Sequence, residues 1–363
     1  MKNFIKKLFP KRFHNFYKKI RNNGKLDKEL IEISDSFIKS ESYKTVSNMW
    51  HLLNIQDYKN ISNSGLDRLG KNTFGHYANF YDYREEHLNN LFKNIDQKNI
   101  VDLEADIFKK HKDLSLKQSC EYNYLLLLLY YNLKKSVYFK YLNFLNDRTY
   151  LNFGDNYISI ENNNITSDKI ISLFDLESIE KFTEINNKKI LEIGAGSGRT
   201  AECILSTKNI SNYVICDIPP ALYISYKRLK LGFPNKNIEL LINVNDKNKL
   251  KEKISNNDIT FIFPHQIKDI ENIFFDLTIG IDCFHEMNKT TLEFYFNNIS
   301  NISKKFYFSI WKKTKNWNSG GLFKKTEKLD YEKGDYPIPS SWKIEYKQEL
   351  IFPGNHLGIG YSI

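Results

Sequence analysis

Two clusters of residues in this chain have the types and spacing that chemistry needs. The first is Lys189-Ile190-Leu191-Glu192-Ile193-Gly194-Ala195-Gly196-Ser197-Gly198-Arg199, an apolar strand that runs into a glycine-rich turn. Glycines at 194, 196 and 198 allow backbone dihedrals that other residues resist, so a ligand can approach the chain closely. Thr200-Ala201-Glu202-Cys203-Ile204-Leu205 then opens a helix, whose N-terminus favours an anionic or polar group. The second cluster is Asp282, His285 and Glu286, which follows another apolar strand and holds three groups able to take a proton.

The turn reads E-x-G-x-G-x-G. A dinucleotide fingerprint, G-x-G-x-x-G, needs a small residue where Arg199 stands, which weighs against a dehydrogenase. Tyr213-Val214-Ile215-Cys216-Asp217 is the next strand and ends in an acid 25 residues after Glu192. A carboxylate there is placed to take both ribose hydroxyls of a nucleoside. The alternative role for Asp217 is to cap a helix beginning at Pro219-Pro220.

These elements need a framework. From Lys188 onward, apolar strands alternate with helical stretches, expected at 189–194, 213–217, 239–243, 259–263, 276–282 and 305–311. Strand pairs at 343–351 and 356–362 close the chain. A helix is expected from Ser167 to about Thr183, after a short hairpin within 151–166 with Asn162-Asn163-Asn164 as its turn. Residues 26–165 read as mainly helical, with a leucine-rich helix in 121–145. Residues 61–84 are rich in glycine and aromatics. They are either a self-packed loop or a wall that faces the acceptor.

Charge narrows the function classes. The chain has 363 residues, 53 Lys+Arg and 43 Asp+Glu, for a formal net charge of +10. Nine of the basic residues and no acid lie in residues 1–25, so the other residues are nearly neutral. A nucleic-acid enzyme more often spreads its basic residues over a working face, so no nucleic-acid partner is expected. In the 1–25 leader, Ile5, Leu8, Phe9, Phe13, Phe16 and Ile20 recur at helical spacing among the basic residues. The leader is read either as a solvated tail or as an amphipathic anchor on anionic lipid. The longest apolar run is eight residues, far short of the about 20 that span a bilayer. Four scattered cysteines with no CxxC, and no secretory signal, point to a reduced cytoplasmic protein, with peripheral contact at the inner membrane face if the leader anchors it.

The sequence resembles the class I S-adenosylmethionine-dependent methyltransferases and, more narrowly, the bacterial sugar O-methyltransferase family. The resemblance is carried by Leu191 to Gly198, by Asp217-Ile218-Pro219-Pro220-Ala221-Leu222-Tyr223, by Phe275-Asp276-Leu277 through His285-Glu286-Met287, and by Tyr336-Pro337-Ile338-Pro339 with Trp342. It implies an α/β, Rossmann-like sheet over 166–363, mostly parallel with an antiparallel C-terminal strand. The mainly helical N-terminal region would shape the acceptor side.

The implied cofactor is S-adenosylmethionine. Glu192 would lie near its methionine end, Gly194, Ala195, Gly196 and Gly198 beneath it, and Asp217 with Ile218 at the ribose. His265 and Gln266 would border the adenine, and Asp282 would close the site. The implied reaction is methyl transfer to a hydroxyl of a sugar, nucleotide sugar or surface glycan. His285 is the first candidate for general base, with Asp282 and Glu286 next; the alternative for His285 is a structural cap on a helix over 287–299. No metal is expected, because Asp282 has no companion oxygen ligands at a diagnostic spacing. A Pro-Pro after the second strand rather than the fourth argues against methylation of DNA bases. Methylation of another small molecule or of RNA, or a non-catalytic scaffold, remain the alternatives.

Overall fold

A computed structural model describes residues 13–24, 26–46, 48–64, 85–93, 109–111, 114–146, 157–312, 329–352 and 356–363. Its centre is an eight-stranded sheet. The strands are β3 (Lys189–Ile193), β4 (Asn212–Cys216), β5 (Ile238–Leu240), β6 (Ile259–Ile262), β7 (Leu277–Ile281), β8 (Lys305–Trp311), β9 (Lys343–Glu349) and β10 (His356–Ser362). They lie in the order β5-β6-β4-β3-β7-β8-β10-β9. The pairs from β5 to β8 are parallel, and β10 runs antiparallel between β8 and β9. This is the Rossmann-like sheet with an antiparallel C-terminal strand that the resemblance implies. Every strand expected from the apolar runs is present within two residues of its expected ends, except that β5 stops at Leu240, three residues short of the expected 243.

The strands are apolar because helices cover both faces. Ile190, Tyr213, Ile215 and Tyr307 point into one cluster, while Leu191, Ile193, Val214 and Phe308 point into the other. That alternation is the period of two along a strand. From β3 the chain winds outward to β4, β5 and β6, then returns to lay β7 on the other side of β3. The reversal leaves a crevice at the carboxyl ends of β3 and β7, where open α/β sheets take their ligands.

The N-terminal part builds on the first face. Its helices are α1 (residues 13–22), α2 (Lys28–Lys39), α3 (Ser42–Thr45), α4 (Asn48–Ser64), α5 (Glu85–Lys93), α6 (Leu116–Lys134) and α7 (Leu142–Asn146). A hairpin of β1 (Ile158–Ile160) and β2 (Asn163–Ile165) leads into α8 (Ser167–Phe182), whose N-cap is Thr166. Helix α6 begins with a capping box, Ser115 with Gln118, and buries Leu125 to Leu129 completely. These helices and the sheet share one continuous apolar cluster, from Phe13 through Leu128 to Tyr307.

The leader is where the structure departs from expectation. Phe13, Tyr17 and Ile20 are buried against the protein, and Phe13 packs on Tyr43, His51 and Tyr58 at 5.7–6.1 Å between ring centroids. The Tyr17 hydroxyl donates to Asp35 at 2.9 Å, and Arg21 pairs with the same carboxylate at 3.0 Å. An apolar face buried in protein is not available to lipid, so Phe13, Tyr17 and Ile20 offer no anchoring face in this fold. Residues 1–12 lie outside the described residues, as does most of the glycine- and aromatic-rich segment, from 65 to 84. No described helix is long and apolar enough to cross a membrane.

Candidate active site

Gly194, Gly196 and Gly198 all have positive φ, at 71°, 58° and 76°. The turn they form joins β3 to α9 (Arg199–Thr207). Two of the three are also required by space. A Cβ on Gly194 would lie 2.6 Å from the Cβ of Cys283, and one on Gly198 would lie 2.9 Å from that of Ser225. Ser225 belongs to α10 (Ala221–Gly232), so Gly198 is where two helices meet closely. The Ala195 carbonyl closes the turn by accepting from the Gly198 N–H at 2.9 Å.

Asp217 follows β4 and reaches across to this turn. Its Oδ2 accepts from the Gly196 N–H at 2.8 Å, and its Oδ1 accepts from the Ile218 N–H at 2.7 Å. It is not a helix cap: Pro220 holds the N-cap position of α10 and makes no side-chain cap bond. Burial pushes the Asp217 carboxyl up to about 7, against the pull of its two backbone donors. Glu192 lies buried at the end of β3, with Oε2 accepting from the Tyr213 hydroxyl at 2.8 Å. Burial likewise pushes it up to about 7, tempered by that hydrogen bond.

Arg199, which broke the dinucleotide fingerprint, turns away from the strand. Its Nη1 meets Asp175 Oδ2 at 2.5 Å and Ser172 Oγ at 3.3 Å, both on α8. One turn further on, Arg228 of α10 is held by Asp168 at 2.5 Å and Glu202 at 2.6 Å. Both arginines are nearly enclosed, and carboxylates that satisfy them fix α8 against the glycine turn. Neither Asp168 nor Asp175 stands in a recognisable motif. The sequence offered no sign of them beyond the helix that carries them.

The second cluster sits directly after β7. Asp282 has φ 53°, and its Oδ1 accepts from Ser309 Oγ at 3.1 Å and lies 3.5 Å from His356 Nε2. His285 and Glu286 occupy a single 3₁₀ turn over 284–286. The His285 ring stacks on Trp311 at 4.5 Å, and its Nδ1 is buried without a hydrogen-bond partner. Burial pushes its pKa down to about 3, so the imidazole is neutral throughout the physiological range. His285 does not cap the following helix α11 (Lys289–Ile302); Asn288 does, accepting from the Thr291 N–H at 2.9 Å.

Glu286 is different. Burial, with the nearby charge of Asp282, pushes it up to about 8, and a hydrogen bond with Trp50 of α4 works the other way. Sequence spacing could not have shown Trp50, or the buried His356 that meets Asp282.

The region after β6 corrects two expectations. The Gln266 amide is taken up by its own turn. Its Oε1 accepts from the Phe263 N–H at 2.8 Å, and its Nε2 donates to the carbonyls of Leu241 at 2.9 Å and Val244 at 3.2 Å. With both ends of the amide engaged, it is a brace within its own turn. His265 is covered by the N-terminal helices, with its N–H donating to Ser42 Oγ at 2.8 Å and its Nδ1 3.0 Å from the same oxygen. Phe37 packs on Phe263 beside it, at 5.4 Å between centroids. Glu192, Gly194, Ala195, Gly196, Gly198, Asp217, Ile218, Asp282, His285 and Glu286 lie at or just beyond the ends of β3, β4 and β7, while the side chains of His265 and Gln266 are engaged by Ser42 and by the turn after β6.

Neither a family model nor a curated protein sequence matches the chain. Solved structures that are similar to it are remote. Thermoplasma acidophilum 1320 is 11% identical, with 53% of this chain and 89% of that one aligned at a TM-score of 0.35. M. capricolum TrmK, in complex with S-adenosyl-homocysteine, is 14% identical over 52% of this chain and 67% of its own, at a TM-score of 0.31. The pyocyanin biosynthetic protein PhzM is 10% identical over 66% of this chain and 64% of its own, at a TM-score of 0.33. Likenesses this distant carry no conclusion about the reaction, so the site has to be judged on its own geometry.

Proposed function

We propose that the chain is an S-adenosylmethionine-dependent O-methyltransferase whose acceptor is a sugar hydroxyl, in a nucleotide sugar or a surface glycan. One observation carries the cofactor reading: Asp217 reaches the glycine turn through Gly196. Each of its oxygens accepts one backbone N–H, and a carboxylate oxygen has two lone pairs. One acceptor position per oxygen is left, which matches the paired hydroxyls of a ribose. The glycine turn supplies a surface without side chains beside them. Glu192, at the end of β3 beside the turn, suits a cationic amino group. The residues present therefore fit a nucleoside that carries an amino acid.

That cofactor, when bound, supplies a methyl group already activated on a sulfonium. The chain's share of the work is to align an acceptor hydroxyl behind the methyl and to remove its proton. Asp282, His285 and Glu286 follow the carboxyl end of β7. Glu286 is the better supported acceptor for that proton. A base works best with a pKa near the operating pH, and Glu286 at about 8 meets this where His285 at about 3 does not.

The two bases have opposite pH signatures. With Glu286 as base, turnover rises with pH up to about 8 as the carboxyl ionises; with His285 it is flat from pH 5 to 9. The sugar acceptor rests on the resemblance of residues 217–223, 285–287 and 336–342. The test is a labelled-methyl assay against nucleotide sugars, surface-glycan fragments and RNA. Label in a sugar fraction is the expected result, and label in RNA alone would overturn the sugar reading. Calorimetry with S-adenosylmethionine tests the cofactor separately.

A further inference from the structure

Asp282 is held in a backbone conformation that residues with a Cβ seldom adopt. Its φ of 53° lies in the left-handed region. Ser309, on the neighbouring strand β8, supports it three times. The Asp282 N–H donates to the Ser309 carbonyl at 3.2 Å and to its Oγ at 3.0 Å. The same Oγ donates back to Asp282 Oδ1 at 3.1 Å. One fully buried hydroxyl thus fixes both the backbone and the side chain of Asp282. His356 of β10 stands 3.5 Å from Oδ1 as well. Ser309 is therefore bonded to Oδ1 and His356 lies nearest to it, while Oδ2 accepts no hydrogen bond among the described residues. The side chain is 20% exposed, so it is open to a ligand.

The sheet order says which part of a ligand Asp282 can meet. Strand β3 lies between β4 and β7, so the glycine turn separates Asp217 from Asp282. Cys283 ties the Asp282 side to the turn. Its thiol donates to the Ile193 carbonyl at 3.1 Å, and its Cβ fills the space a Cβ on Gly194 would need. A nucleoside with its ribose at Asp217 has Asp282 on the side away from the ribose, where its amino-acid substituent extends. In the methyl donor the sulfur of that substituent is a cation, and in the product it is neutral. Arg199 pairs with Asp175 at 2.5 Å, so its charge is already matched. We propose that Ser309 is a positioning residue for Asp282, which presents Oδ2 to the sulfonium and makes the site favour the charged methyl donor over its neutral product. The inference rests on the cofactor reading above.

Calorimetry with S-adenosylmethionine and with S-adenosylhomocysteine tests this on the full chain. Asp282→Asn keeps the shape and tolerates the left-handed backbone but removes the charge. It is expected to weaken the methyl donor about tenfold and leave the product within about twofold. Ser309→Ala keeps the charge but frees the carboxylate to turn. It should lower the same ratio of affinities about threefold. A Ser309→Ala protein that is partly unfolded still reports that ratio, because the fitted stoichiometry counts only folded sites. Equal weakening of both ligands, or a ratio unmoved in both variants, would overturn the proposal. A ratio moved by Asp282→Asn alone would remove Ser309 from the role. If the unaltered protein binds neither ligand, the cofactor reading fails and takes this inference with it. If it binds both and the ratio stays fixed, this inference fails alone.

Discussion

The two halves of the crevice are built in different ways. The cofactor half is local: Glu192, the three glycines and Asp217 lie within 26 residues and on two adjacent strands, and backbone N–H groups hold the carboxylate. The half that follows β7 is assembled from distant parts of the chain. Trp50 from α4 meets Glu286, and His356 from β10 meets Asp282. A local site needs particular residues at particular spacings. A distributed one needs particular surfaces, and many sequences can present the same surface.

That comparison can be broken by experiment. Glu286→Gln should lower turnover by about 10²–10⁴-fold and leave cofactor binding nearly intact. Weaker binding instead would mean that the halves are not separable. Asp217→Ala should do the reverse, weakening S-adenosylmethionine by about 100-fold in calorimetry through the loss of two charge-assisted hydrogen bonds. Unchanged affinity would remove Asp217 from the ribose.

Phe13→Ala probes the N-terminal helices that seat α4. Phe13 is fully buried, so the change should cost about 3 kcal/mol in denaturant unfolding. No loss would mean that α1 does not pack as described. The smallest effect concerns Asp57, which lies buried on α4 with neither oxygen hydrogen-bonded. Burial pushes it up to about 8, so the folded protein keeps a proton that the unfolded chain releases near pH 4. Stability therefore falls as pH rises between those values. Asp57→Asn cannot ionise, so its melting temperature relative to the unaltered protein should climb by roughly 3 °C from pH 5 to pH 8.5. A constant difference would show that Asp57 is not titrating in that window.

Much of the cofactor half was legible in the sequence. Gly194 and Gly198 could be read because a positive φ and a close neighbour leave few alternatives to glycine. Asp217 could be read because parallel pairing puts the end of β4 beside the end of β3. His265 and Gln266 show where such reading stops. Their place after a strand was right, yet the amide of Gln266 was needed by its own turn and His265 by Ser42. The leader's spacing was ambiguous for a related reason. Apolar residues at helical spacing fit a membrane surface and a protein groove equally well, and Phe13, Tyr17 and Ile20 chose the groove.

The sequence by itself determined the sheet, the glycine turn and the acid that reaches it, because strand burial and positive φ constrain residues one at a time. Only the tertiary structure decided which of two neighbouring titratable groups burial raises and which it lowers. Burial sends His285 down and Glu286 up from ordinary starting values, and the Trp50 that opposes the second shift arrives from the other end of the chain. Desolvation and a hydrogen bond across 236 positions depend on which surfaces meet, and no local spacing records that.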